Sequence, residues 1–146
     1  EGLGDRFVLP LVGALLARAI YEQGRADEAT ELHSALAKVA DPKDVETQAL
    51  LSSVEALVLL HAEEVEQAEA AAERAVAFLN DIESHDLRAD CLVMHARTVA
   101  ASGRKAEALT ILEQALELYT LKGNVVSTER TRAMISELAE VAGRTG

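Results

Sequence analysis

Aromatic side chains are nearly missing from this sequence: it has two Phe, two Tyr and no Trp. The apolar share is still 49%, supplied mainly by Ala, Leu and Val, of which Ala and Leu are strong helix formers. Proline and glycine are also scarce, with two and eight copies. A chain so little punctuated suits long helices joined by short turns. The one cysteine, Cys91, excludes an internal disulfide and fits a reducing, cytoplasmic compartment. Basic residues number 14 against 25 acidic ones, a net charge of −11. Such a surface repels a phosphate backbone and an anionic bilayer, so neither nucleic acid nor membrane is an expected partner. The uncharged apolar runs fall short of the roughly 20 residues a membrane span needs.

At 146 residues the chain is expected to form a single domain. It opens in mid-pattern at Glu1-Gly2-Leu3-Gly4, without an initiator Met. It therefore reads as a domain of a longer protein.

A repeat is present. Gly24-Arg25-Ala26-Asp27-Glu28-Ala29 agrees with Gly103-Arg104-Lys105-Ala106-Glu107-Ala108 at four of six positions. A degenerate copy, Glu63-Glu64-Val65-Glu66-Gln67-Ala68, lies between them. The closing alanines recur at intervals of 39 and 40 residues. The Gly ends one helix in the left-handed conformation. The acidic residue then enters the first turn of the next helix, where the dipole favours negative charge. The Ala allows close helix approach.

These residues resemble the tetratricopeptide repeat pattern over about residues 10–120. That pattern asks for one small residue in the first helix of each repeat and two in the second. The second repeat offers Ala56, Ala68 and Ala75, and the third Ala96, Ala108 and Ala115. The first offers Ala17 and Ala29, with Leu36 in place of the last Ala. The resemblance implies an all-α solenoid of three antiparallel helical hairpins plus a capping helix. The repeats are expected at about 5–40, 41–80 and 84–121, and the capping helix at about 125–142. The motif Asp41-Pro42 reads as an N-cap followed by Pro at the first helical position.

Three stretches carry a narrower likeness: Asp41-Pro42-Lys43-Asp44-Val45-Glu46-Thr47-Gln48-Ala49-Leu50, His85-Asp86-Leu87-Arg88-Ala89-Asp90 and Leu118-Tyr119-Thr120-Leu121-Lys122-Gly123-Asn124-Val125-Val126. Together they resemble the helical-repeat tails of bacterial multidomain signalling proteins that carry a class III cyclase or a STAND-type ATPase. The likeness implies a regulatory interaction module. No catalytic residue is carried over, because this chain has neither a Gly-rich phosphate loop ending in Gly-Lys-Ser/Thr nor the paired aspartates of a cyclase. No cofactor and no enzymatic activity are expected.

In such arrays the first helix of each repeat lines a concave groove. The positions that usually touch ligand fall here on Ala14, Arg18 and Tyr21, on Ser53, Leu57 and Leu60, and on Val93, Arg97 and Ala100. Glu22 and His61 adjoin them, and the last helix would add Arg132. Arginines on that stripe could accept an anion, or could pair with Glu22, Asp90 or Glu129. A peptide or protein partner is expected, with a homodimer through one end of the array or through the groove as a further expectation. Cys91 and His95 share a helix face one turn apart, which could begin a metal or nucleophilic site. Packing between helices is the expected role instead. The carboxylates Glu63, Glu64, Glu66, Glu69 and Glu73 read as a solvated helix face, and no metal is expected.

Overall fold

The computed structural model describes residues 22–145. Among them are six α-helices and no strand: α1 (Ala26–Val39), α2 (Val45–His61), α3 (Val65–Phe78), α4 (His85–Ala101), α5 (Lys105–Lys122) and α6 (Val125–Thr145). The helix expected before Gly24 lies almost wholly outside the described residues. Helices α2 and α3 form one antiparallel hairpin and α4 and α5 the next. The hairpins stack through α3 against α4 and α2 against α4, while α1 packs on α2 and α6 on α5.

The turns are built as the repeat motif requires. Gly24 and Gly103 have φ of +84° and +93°. The third turn puts Glu63 at the same place with φ +63°, a conformation that costs an L-residue about 1–2 kcal/mol. Each of the last two turns closes with a six-residue backbone hydrogen bond, Glu64 N to Leu59 O at 3.0 Å and Arg104 N to Val99 O at 3.2 Å. This is the Schellman closure, which satisfies carbonyls left over at the helix end.

The expected start of α2 is corrected. Asp41 does not cap the helix; its side chain accepts from Lys43 N at 2.9 Å, and its carbonyl accepts from Asp44 N at 3.0 Å. Pro42 therefore sits in a turn, and α2 begins three residues later. Asp44 is the cap, accepting from Thr47 N at 3.3 Å and from the Thr47 hydroxyl at 2.7 Å. Thr47 is fully buried, so this bond also satisfies a buried hydroxyl.

The core follows the small-residue pattern. Ala68, Ala75, Ala108 and Ala115 have no exposed surface, and Ala29, Ala56 and Ala96 are buried as well. Around Ala108 and Ala115 pack Leu92, Val99, Ile111 and Leu112, with Met134, Ile135 and Leu138 of α6 closing the cluster. Short side chains at the crossings let the helices approach, and the larger ones fill the grooves beside them. Leu36, in place of an alanine, is buried with Leu50 and Leu51. Cys91 lies fully buried with Ala49, Ala75 and Leu79.

Candidate functional site

The inner helices α2 and α4 and the closing helix α6 form the walls of a cleft. Its volume is about 340 Å³, and Glu22, Ser53, Asp90, Val93, Arg97 and Arg130 line it, with Tyr119 and Met134. A second, apolar cleft of about 280 Å³ adjoins it between Ala96, Ala100, Leu112 and Leu138. Arg97 and Met134 line both, so the two form one groove along α4 and α6.

The expected groove residues are divided by the structure. Glu22, Ser53, Val93 and Arg97 come together in the larger cleft. Arg18 and Tyr21 lie outside the described residues. Leu57 is turned away: it is 4% exposed and packs with Ala56, Ala71, Ala72 and Met94. Leu60 is half-buried against that cluster, and His61 is exposed at the end of α2. Arg132 is exposed and lines neither cleft, whereas Arg130, on the same helix, lines the larger one. A shift of forty residues from Asp90 lands on Arg130, and from Met94 on Met134. That register, taken from the Ala68–Ala108 spacing, identifies Arg130.

Hydrogen bonds hold one wall of the cleft. The Tyr119 hydroxyl donates to Asp90, and Asn124 Nδ2 donates to Asp86 at 3.4 Å. Asn124 also caps α6, accepting from Ser127 N at 3.1 Å. Two of the three stretches singled out in the sequence thus meet across α4 and α5.

The arginines fall into two groups. On the turns and outer helices they are paired. Arg25 binds Glu28, Arg74 reaches Glu55 at 3.2 Å, and Arg104 bridges Glu69 and Glu107. Hydrogen bonding from Glu28 raises Arg25 above its ordinary value, and Arg25 in turn lowers Glu28. Arg104 is raised in the same way, chiefly by Glu69. Arg88, Arg97, Arg130 and Arg132, all on α4 and α6, have no carboxylate oxygen within 4.0 Å among the described residues. The expected pairing of Arg97 or Arg132 with Glu22, Asp90 or Glu129 is therefore not made.

One group of metal-capable side chains gathers among the described residues, Glu69, Glu73 and His95, with ligand atoms within 4.8 Å of one another. His95 Nε2 is 3.9 Å from Glu73 Oε1, and Arg104 already holds Glu69. The trio is a polar clasp between α3 and α4. His95 thus packs between helices, with a polar neighbour in Glu73, while Cys91, on the same helix face, is buried in the core.

Among the described residues no helix is long and apolar enough to cross a membrane. A search of characterised proteins and a search of solved structures each returned no match. The family model described as tetratricopeptide repeat matches residues 46–120, nearly the whole of the two hairpins α2–α3 and α4–α5. Repeats of this family generally mediate protein–protein interaction. With its left-handed turns, its buried alanines and that match, this chain belongs to the tetratricopeptide repeat family.

Proposed function

We propose that this chain is a non-catalytic docking module of a larger bacterial signalling protein, acting in the cytoplasm on a protein or peptide partner. The observation that carries the reading is the groove on the inner face of the third repeat. Val93 and Met134 stand there among polar and charged groups of both signs, Arg97 and Arg130 with Glu22 and Asp90. The adjoining 280 Å³ cleft, between Ala96, Ala100, Leu112 and Leu138, supplies the apolar walls, and clefts of a few hundred Å³ in which polar groups border apolar walls are the usual form of a binding site. The regulatory part of the reading is supported by the stretches around Asp90 and Tyr119 that resemble bacterial signalling tails. A selection of random displayed peptides against the domain tests it. Enriched peptides that bind the wild type and fail on Val93→Asp are expected. Peptides indifferent to Val93→Asp, or no enrichment, would reject a partner site in this groove.

Self-association is a second reading, and one observation favours it. Leu121, Val125 and Val126 are 73%, 68% and 68% exposed around the α5–α6 turn, and exposed apolar groups of this kind tend to be covered. Sedimentation across a concentration series should then show a dimer that Val126→Asp abolishes; a monomer mass at every concentration would exclude it.

A further inference from the structure

The seam between the two hairpins holds a cluster that packing does not call for. Glu69 and Glu73 stand one turn apart on α3, and His95 meets them from α4; one ligand atom from each lies within 4.8 Å of the other two. Forty residues on, where α5 meets α6, the matching positions are Leu109, Glu113 and Ile135, and Ile135 packs against the apolar core there. The same place in the fold thus accepts apolar filling, and the α3–α4 seam has a glutamate and a histidine instead. Like charges one turn apart on a helix repel each other. Arg104 relieves Glu69, whereas the cation-capable group beside Glu73 is the His95 ring, at 3.9 Å.

The donor set selects the ligand. An imidazole nitrogen with two carboxylate oxygens suits a divalent transition ion of the zinc class, whereas calcium and magnesium take oxygen donors. With bonds of about 2.0–2.2 Å, tetrahedral zinc holds its ligand atoms roughly 3.3–3.6 Å apart. The trio is slightly wider than that. Glu69 and His95 are half-buried in the seam, and Glu73 is exposed, so rotation of the Glu73 side chain closes the difference. Arg104 need not leave. It grips Oε1 of Glu69 and also holds Glu107 at 3.0 Å and Ser102 at 3.1 Å; the other oxygen of Glu69 is the one an ion would take. A hydrogen bond to a ligating carboxylate orients it for the metal. We propose that Glu69, Glu73 and His95 bind a divalent ion of the zinc class, with water in the fourth position, and that the ion fastens the second repeat to the third. None of the three residues lines either cleft, so the site is independent of the docking role.

Isothermal titration calorimetry of the untagged, metal-free chain with Zn²⁺ tests it. A single ion per chain is expected, with Mg²⁺ bound at least about tenfold more weakly. Glu73→Gln and His95→Gln should each weaken Zn²⁺ by about tenfold or more. Glu66→Gln removes the same charge from α3 outside the trio and should leave the affinity unchanged. Zn²⁺ should also raise the melting temperature of the wild type and of Glu66→Gln, but not that of Glu73→Gln. Glu73 is exposed, so its variant should melt like the metal-free wild type, which circular dichroism checks even where His95→Gln loosens the seam. Binding of Zn²⁺ that survives both Glu73→Gln and His95→Gln would overturn the site. Equal losses from Glu66→Gln and Glu73→Gln, or Mg²⁺ bound as tightly as Zn²⁺, would reduce it to a diffuse acidic surface and overturn it as well. Absence of Zn²⁺ binding would do the same, and none of these outcomes bears on the displayed-peptide selection.

Discussion

The second and third repeats are the same on their outer side and different on their inner side. Residues 61–80 and 101–120, the turn and outer helix of each, carry an identical order of buried, half-buried and exposed positions. Along the inner helices the order changes. Leu50, Ser53 and Leu57 are buried, whereas Asp90, Val93 and Arg97, forty residues on, are half-buried or exposed. The outer helix and its turn are thus the invariant frame, set by left-handed turns and alanines at the crossings. The inner helix carries what distinguishes one repeat from another. In the second repeat it is spent on the core; in the third it opens a groove.

The largest test of this contrast is a reciprocal change at the matched positions 57 and 97. Leu57→Arg places a charge among Ala56, Ala71, Ala72 and Met94 and should destabilise by about 3 kcal/mol or more. Arg97→Leu, at an exposed position, should stay within about 0.5 kcal/mol. Urea denaturation of both variants checks the pair, and equal losses would erase the distinction between the inner helices.

A middle-sized test concerns the shared frame. Ala68→Leu and Ala108→Leu each overpack a crossing with no exposed surface, at a cost of about 1–3 kcal/mol. Equivalence of the outer helices predicts similar losses from the two, read as shifts in the urea midpoint. An unchanged midpoint for either would break the match.

The turns offer a smaller one. A methyl group at Gly103 would meet nothing within 4 Å, so Gly103→Ala should cost about 1 kcal/mol through conformation alone. Glu63→Gly should do the reverse and stabilise by about 0.5 kcal/mol, since relief of the left-handed residue outweighs the added chain entropy. Thermal melts of both variants should move in opposite directions.

The smallest effect is with pH. Arg25 holds Glu28 below its ordinary value. The contribution of this exposed pair is therefore full above the ordinary glutamate range and is lost as pH falls through the lowered value. Stability curves of the wild type and Arg25→Gln should converge in acid; a gap that widens there would contradict the sign.

Much of the fold could be read from residues alone, because the turn motif and alanines act locally. Gly24 and Gly103 mark left-handed turns that need no tertiary context, and α1, Ala26–Val39, ends where the first repeat is expected to end, at about residue 40. Glu63 was legible only through its register with those glycines. Asp41-Pro42 misled because two aspartates compete: Asp41 bonds into its own turn, and Asp44 is left to cap the helix. The groove was harder to read. A rule of three and four residues places Ser53, Leu57 and Leu60 on one stripe, but burial of Leu57 depends on Met94 of the next repeat packing against it. Arg130, two residues from Arg132, is the arginine of the closing helix that lines the cleft, and the forty-residue spacing from Asp90 points to it.

The central claim is that the partner docks on the inner face of the third repeat. Backbone amide shifts in a two-dimensional NMR titration with a peptide enriched by the displayed-peptide selection test it most directly. The account predicts perturbations gathered at residues 90–97 of α4 and 127–134 of α6, with α3 and the exposed face of α5 silent. Shifts centred instead on α3 or the exposed face of α5, at Glu66 or Glu113 for example, would place docking on the invariant frame and contradict it.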